Sequence, residues 1–168
     1  MRGKTRYTAP MRPFAVLLSL LLPQVAHAAE PADHVRVEKA ARRLTLYDAA
    51  DRPIRTYTGI QLGESPSGAK HFRGDGRTPE GRYVIDFGNP GSAYHLSLHI
   101  SYPDSADRAF AAAHRRDPGG DVFLHGSPNG WATRPAGDWT DGCIALSDAE
   151  IEEIWGLVGD GTPIEIVP

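Results

Sequence analysis

The stretch Asp121-Val122-Phe123-Leu124-His125-Gly126, followed across a loop by Thr140-Asp141-Gly142-Cys143-Ile144 and then Ser147-Asp148-Ala149-Glu150-Ile151, sets the reading of this chain. Val122 to Leu124 is a short apolar run bounded by Asp121 and Gly126, the pattern of a buried strand, so His125 stands at a strand end. Ser147 has the hydroxyl to cap a helix and Glu150, three residues on, completes a capping box. Ile151, Ile154, Trp155 and Val158 then follow at helical spacing. The order is strand, loop, glycine-containing turn and helix, with a histidine closing the strand and a cysteine closing the turn. Functional side chains are commonly carried at such junctions.

Toward the N-terminus, Val35 to Glu38 and Arg43 to Asp48 alternate apolar and polar as half-buried strands do, and Ala49 to Arg52 supplies a turn before Ile54 to Tyr57. Gly59 to Gly81 is rich in Gly, Pro and charge, with turns at Gly74-Asp75-Gly76 and Thr78-Pro79-Glu80-Gly81, and is expected as a long surface loop. Arg82 to Phe87 and Tyr94 to Tyr102 read as strands. In the second, Tyr94, Leu96, Leu98 and Ile100 share one face, and His95, Ser97, His99 and Ser101 the other. His95 and His99 lie four apart, about 13 Å in a strand, which is too far to chelate one ion. A helix is expected within Asp104 to Arg116 and a last strand over Thr162 to Val167. The expectation is a single domain over residues 29–168, mainly β with short helices.

Residues 1–28 read as a signal peptide. Arg2, Lys4, Arg6 and Arg12 precede the apolar stretch Phe14 to Leu22, and Ala26-His27-Ala28 offers a small-x-small end for cleavage after Ala28. Nine apolar residues fall short of the roughly 20 that a spanning helix needs, so no stable membrane span is expected after processing and the product is placed in the periplasm or outside the cell. An uncleaved anchor is the alternative. The leader removes four basic residues and no acidic ones, taking the net charge from −3 to −7, and no Lys/Arg block remains, which argues against nucleic acid as a partner. No metal cluster, phosphate loop or dinucleotide fingerprint is found, so no cofactor or metal is expected.

Cys143 is the single cysteine of an exported chain, where cysteines usually come in disulfide pairs. It is either a small buried hydrophobe or a reactive thiol. A thiol attacks as thiolate, and a nearby imidazole that accepts its proton makes that possible, which casts His125 as base. Gly142 lets its peptide turn so that its own N–H and that of Cys143 form an oxyanion hole. Trp131 and Trp139 bracket the loop between His125 and Cys143, either walling a substrate or packing the loop. Arg77 and Arg134 are candidates for binding carboxylates, against the plainer reading of solvated loop arginines.

His125-Gly126, the fourteen residues from Gly126 through Trp139, and Thr140-Asp141-Gly142-Cys143 resemble the His-loop-Ser/Thr-x-Gly-Cys signature of the L,D-transpeptidase (YkuD-type) catalytic domain. Gly74 to Gly81, Tyr102-Pro103 and Asp121 to Gly126 are similar to blocks of the YafK-like branch, so the resemblance covers roughly residues 35 to 167. It implies an L,D-transpeptidase-like β-sandwich in which Cys143 forms a thioester, His125 is its base and the Gly126 carbonyl orients the ring. The implied partner is peptidoglycan, whose stem peptides carry meso-diaminopimelate. Substrate contacts are expected from Thr140, Asp141, Trp139, His99 and Arg77. A peptidoglycan-linked lipoprotein is a second implied partner, since the branch includes hydrolases (amidases) that release one. The signature commonly has His where Asp141 stands, and Arg or Asn where Ala145 stands. A non-catalytic wall-binding module and a general cysteine peptidase are the remaining alternatives.

Overall fold

The computed structural model describes residues 31–168, so the expected signal peptide lies outside the described residues. Eight strands and two helices follow in the order β1 (His34–Glu38), β2 (Arg43–Tyr47), β3 (Pro53–Thr58), β4 (Gly81–Asn89), β5 (Ser97–Ile100), α1 (Ser105–Ala113), β6 (Val122–His125), β7 (Ile144–Ala145), α2 (Asp148–Leu157) and β8 (Thr162–Val167). The domain is mainly β, as expected, and its layers belong to one mixed sheet in the order β3-β2-β1-β8-β4-β5-β6-β7. The β1–β8 and β6–β7 pairs are parallel, and the other neighbours are antiparallel.

This sheet is curled. Gln61, just past β3 at one edge, exchanges backbone hydrogen bonds of 3.0 and 2.8 Å with Ala145 of β7 at the other. Curling encloses an apolar core in which Val35, Val37, Leu44, Leu46, Ile85, Ile100, Leu124, Ile144 and Ile164 are almost wholly buried. Pairing the two edges also leaves fewer unpaired backbone groups for intermolecular contact. Helix α2 adds Ile151, Ile154 and Leu157 to the core. It begins as the sequence predicts, with Ser147 capping Glu150 N–H and the Glu150 carboxylate returning to Ser147 N–H. Helix α1 is capped in the same way by Asp104 and Asp107.

Two expectations change. The strand predicted from Tyr94 starts only at Ser97, because His95 adopts φ +64° and donates its N–H to Asn129 Oδ1 at 2.9 Å. Tyr94 and Leu96 instead turn their carbonyls toward Gly126 N–H, at 3.1 and 3.2 Å. Bonds from distant segments override the alternating pattern there. The loop 59–81 is long, but it is fastened to the body. Lys39, 2% exposed, donates to the Gly68 and Thr78 carbonyls and to Glu80 Oε1. Gly63 N–H donates to the buried Thr78 hydroxyl at 3.0 Å, and a Cβ on Gly63 would lie 2.2 Å from Gly76 O.

Candidate active site

His125 closes β6, which lies between β5 and β7 in the sheet. Alternation sends Leu124 and Val122 into the core and Phe123 and His125 to the opposite face, beside Ser97 of β5. Phe123, His125, Ser97 and Cys143 line one open cavity of about 650 Å³, within the range of small-ligand sites. His125 is 3% exposed, flanked by the rings of Tyr94 at 4.6 Å and Trp139 at 5.7 Å. Its Nδ1 lies 2.7 Å from Gly126 O. A carbonyl oxygen can only accept, so Nδ1 carries the hydrogen and Nε2 keeps its lone pair. Burial holds the imidazole below its usual basicity, against the opposing effect of the Gly126 carbonyl. Gly126 itself leaves no room for a side chain, since a Cβ would meet Asp148 Oδ1 at 2.8 Å and His95 Cβ at 3.0 Å.

The Thr140-to-Cys143 turn is clamped from within. Gly142 N–H donates to Thr140 Oγ1 at 3.2 Å, and that hydroxyl donates to Cys143 O at 2.7 Å. The oxyanion role expected of Gly142 N–H is therefore not available in this conformation, because its donor is already engaged. The Cys143 N–H has no acceptor among the described residues. Gly142 is required for a steric reason as well: its φ is +131°, and a Cβ would lie 2.5 Å from Arg77 O. Cys143 is half-buried, with Sγ 3.5 Å from Asp121 O. Burial pushes its thiol up to about 11, with the charges of Asp141 and Asp121 acting in the same direction and Lys70 against them.

Of the substrate contacts expected, Trp139, Thr140 and Asp141 line the cavity, although Thr140 is 5% exposed and serves chiefly to shape the turn. His99 and Arg77 do not line it. His99 Nδ1 pairs with Asp86 Oδ1 at 2.6 Å, and its ring packs between Phe87 and Phe123. Arg77 contributes through its backbone, its N–H donating to Asp75 and its carbonyl seating Gly142. Trp131 is 59% exposed, and neither it nor Arg134 lines the cavity. Ala145 is fully buried as the register neighbour of His125, so this position is interior packing beside the imidazole. Among the described residues no group of three or more His, Cys, Asp or Glu is placed to hold a metal. Lys70 and Tyr94 line the cavity without having been singled out from sequence. A lysine in a Gly/Pro-rich loop reads as solvated, and Tyr94 reads as a core position of a strand that does not extend to it.

The L,D-transpeptidase catalytic domain (YkuD) matches residues 32–166. The chain belongs to this family. Among solved structures, a variant of the helical cell shape determining protein Pgp2 from Campylobacter jejuni is 25% identical with a TM-score of 0.66, covering 82% of this chain and 47% of that one. Bd1075 from Bdellovibrio bacteriovorus is 23% identical with a TM-score of 0.58, covering 83% and 49%. An L,D-transpeptidase from Xylanimonas cellulosilytica has the same fold at 16% identity and a TM-score of 0.53, covering 84% and 62%. The chain thus spans about half the length of Pgp2 and Bd1075. No curated protein matches it. An L,D-transpeptidase fold accounts for the single curled sheet.

Proposed function

We propose that this L,D-transpeptidase-family protein transfers acyl groups on peptidoglycan stem peptides with Cys143 as nucleophile and His125 as general base. The observation that carries the reading is a half-buried thiol and a nearly buried imidazole with a free Nε2, lining one cavity together with Trp139. The donor is a stem in which D-alanine follows meso-diaminopimelate. His125 Nε2 takes the thiol proton as Sγ attacks the carbonyl carbon, and Cys143 N–H is the donor for the developing oxyanion. The C–N bond then breaks, the imidazolium returns its proton to the departing D-alanine amine, and a thioester remains. An acceptor amine attacks the thioester, His125 takes its proton, and the thiol is regenerated with a new amide.

With the thiol pushed up to about 11 and the imidazole depressed, the resting pair is neutral. Proton transfer therefore accompanies attack, unlike in a preformed thiolate–imidazolium pair. Peptidoglycan as substrate also requires export, in keeping with the leader-like residues 1–28. The test is mass spectrometry of the protein and its Cys143→Ala variant after incubation with tetrapeptide-bearing muropeptides. A thioester adduct with release of D-alanine, followed by cross-linked dimers, is expected only with Cys143 present. Release of D-alanine that yields free stems and no dimers would show that water is the acceptor, making the enzyme a hydrolase. No Cys143-dependent change would overturn the catalytic reading.

A further inference from the structure

The cavity holds a buried cation that the reaction scheme above does not use. Lys70 is 4% exposed and lines the same cavity as Cys143 and His125. Its Nζ lies 3.0 Å from Asp75 Oδ1, 3.2 Å from Phe72 O and 3.4 Å from Asp141 O. An ammonium has three hydrogens, so every donor has a protein acceptor and none is left to fix a water. A lysine this buried is uncommon and needs such pairing.

Its acceptors tie its own loop, through Phe72 and Asp75, to the Cys143 turn, through Asp141. Asp75 is itself a hub, accepting from His71 and Phe72 N–H through Oδ2, at 2.8 and 2.9 Å, and from Arg77 N–H through Oδ1, at 3.1 Å. Burial alone would raise the Asp75 pKa, but these donors and Lys70 hold the carboxyl below its usual value. Asp141 O belongs to the peptide whose N–H, on Gly142, is held by Thr140. That one peptide unit is gripped at its oxygen by Lys70 and at its nitrogen by Thr140, and the next N–H along the chain is that of Cys143.

We propose that Lys70 is a positioning residue for the nucleophile: anchored by Asp75, its ammonium fixes the Asp141–Gly142 peptide and brings a positive charge against the Cys143 turn, favouring the thiolate. The inference rests on Cys143 being the nucleophile. Asp141 and Asp121 oppose ionisation of the thiol, the Phe123 backbone and Lys70 favour it, and His125 lines the same cavity. Arg73 also lines the cavity, but its guanidinium is paired with Asp117 at 2.7 Å. Lys70 thus counters in part the two carboxylates that act on the thiol, one of which, Asp141, stands where the common signature has histidine.

The test uses two substitutions with opposite electrostatic sign. Lys70→Met removes the cation, whereas Asp75→Asn keeps it and removes its counter-charge. The second-order rate constant for alkylation of Cys143 by iodoacetamide is measured at pH 8 in the purified chain, with melting curves recorded alongside. Lys70→Met is expected to slow alkylation about tenfold and Asp75→Asn to speed it several-fold, through opposite changes in thiolate fraction. Loosening of the turn would move both variants in the same direction, so parallel shifts, or none in either, overturn the proposal. If either variant does not melt cooperatively, Lys70→Gln takes the place of Lys70→Met and Asp75→Ala that of Asp75→Asn, and the same opposite signs are required. The underlying nucleophile assignment fails separately: the wild-type protein would then form no Cys143-dependent acyl adduct with muropeptides, whatever the alkylation rates.

Discussion

At Cys143 the surroundings disfavour the ionised form. Burial and the flanking carboxylates push the thiol up to about 11, while burial holds His125 below its ordinary value near 6.5. Three consequences are measurable. Alkylation of Cys143 should rise about tenfold per pH unit from pH 7 to beyond pH 9 without reaching a plateau. A plateau already at neutral pH would show a preformed ion pair. Turnover needs neutral His125, and because its pKa is lowered the acid limb of kcat/KM should fall below pH 6.5, where an ordinary imidazole would already be half protonated. Asp141→Asn removes one opposing charge and is expected to quicken alkylation at pH 8 several-fold, with little effect on the melting temperature because Asp141 is exposed.

The turn from Thr140 to Cys143 is held by a few interactions that can be removed one at a time. Gly142→Ala places a Cβ 2.5 Å from Arg77 O at φ +131°, and should cost about 3 kcal/mol in denaturant unfolding together with loss of the acyl adduct. Thr140→Val removes the hydroxyl that accepts from Gly142 N–H and donates to Cys143 O, and should cost about 2 kcal/mol. Thr140→Ser keeps the hydroxyl and should retain most of the activity. An unchanged acyl adduct yield in Thr140→Val would show that the clamp is dispensable for chemistry.

Across the whole domain, Gln61 joins the two edges of the sheet and the active-site loop. Its backbone pairs with Ala145, its Nε2 donates to Pro135 O and Gly137 O at 2.6 Å each, and its Oε1 accepts from Trp139 Nε1 at 3.1 Å. Asp138 reinforces the same seam by accepting from Leu62 N–H and from Arg42. Gln61→Ala leaves the backbone pairing in place but releases the loop. Amide hydrogen exchange should therefore quicken across residues 134–140 while β1, β2 and β8 keep their protection. Unchanged exchange in that loop would place its anchorage elsewhere.

Much of this molecule is legible in local pattern. Alternation located β1 to β4 and β8, the Ser147 and Glu150 pair located the start of α2, and the strand end and glycine turn located His125 and Cys143. These features depend on contacts within a few residues, which sequence carries directly. The two-residue strand β7, the late start of β5 after His95 and the burial of Lys70 depend on partners far along the chain: Gln61 for Ala145, Asn129 for His95, and Asp141 for Lys70. The setting of the thiol is of the same kind. Residue types marked Cys143 and His125 as the candidate nucleophile and base, but the balance of charge and burial around Cys143 comes from loops separated by some seventy residues of chain. Electrostatic energies depend on distance in space and on exclusion of water, and both exist only once the sheet has curled and brought the loops together.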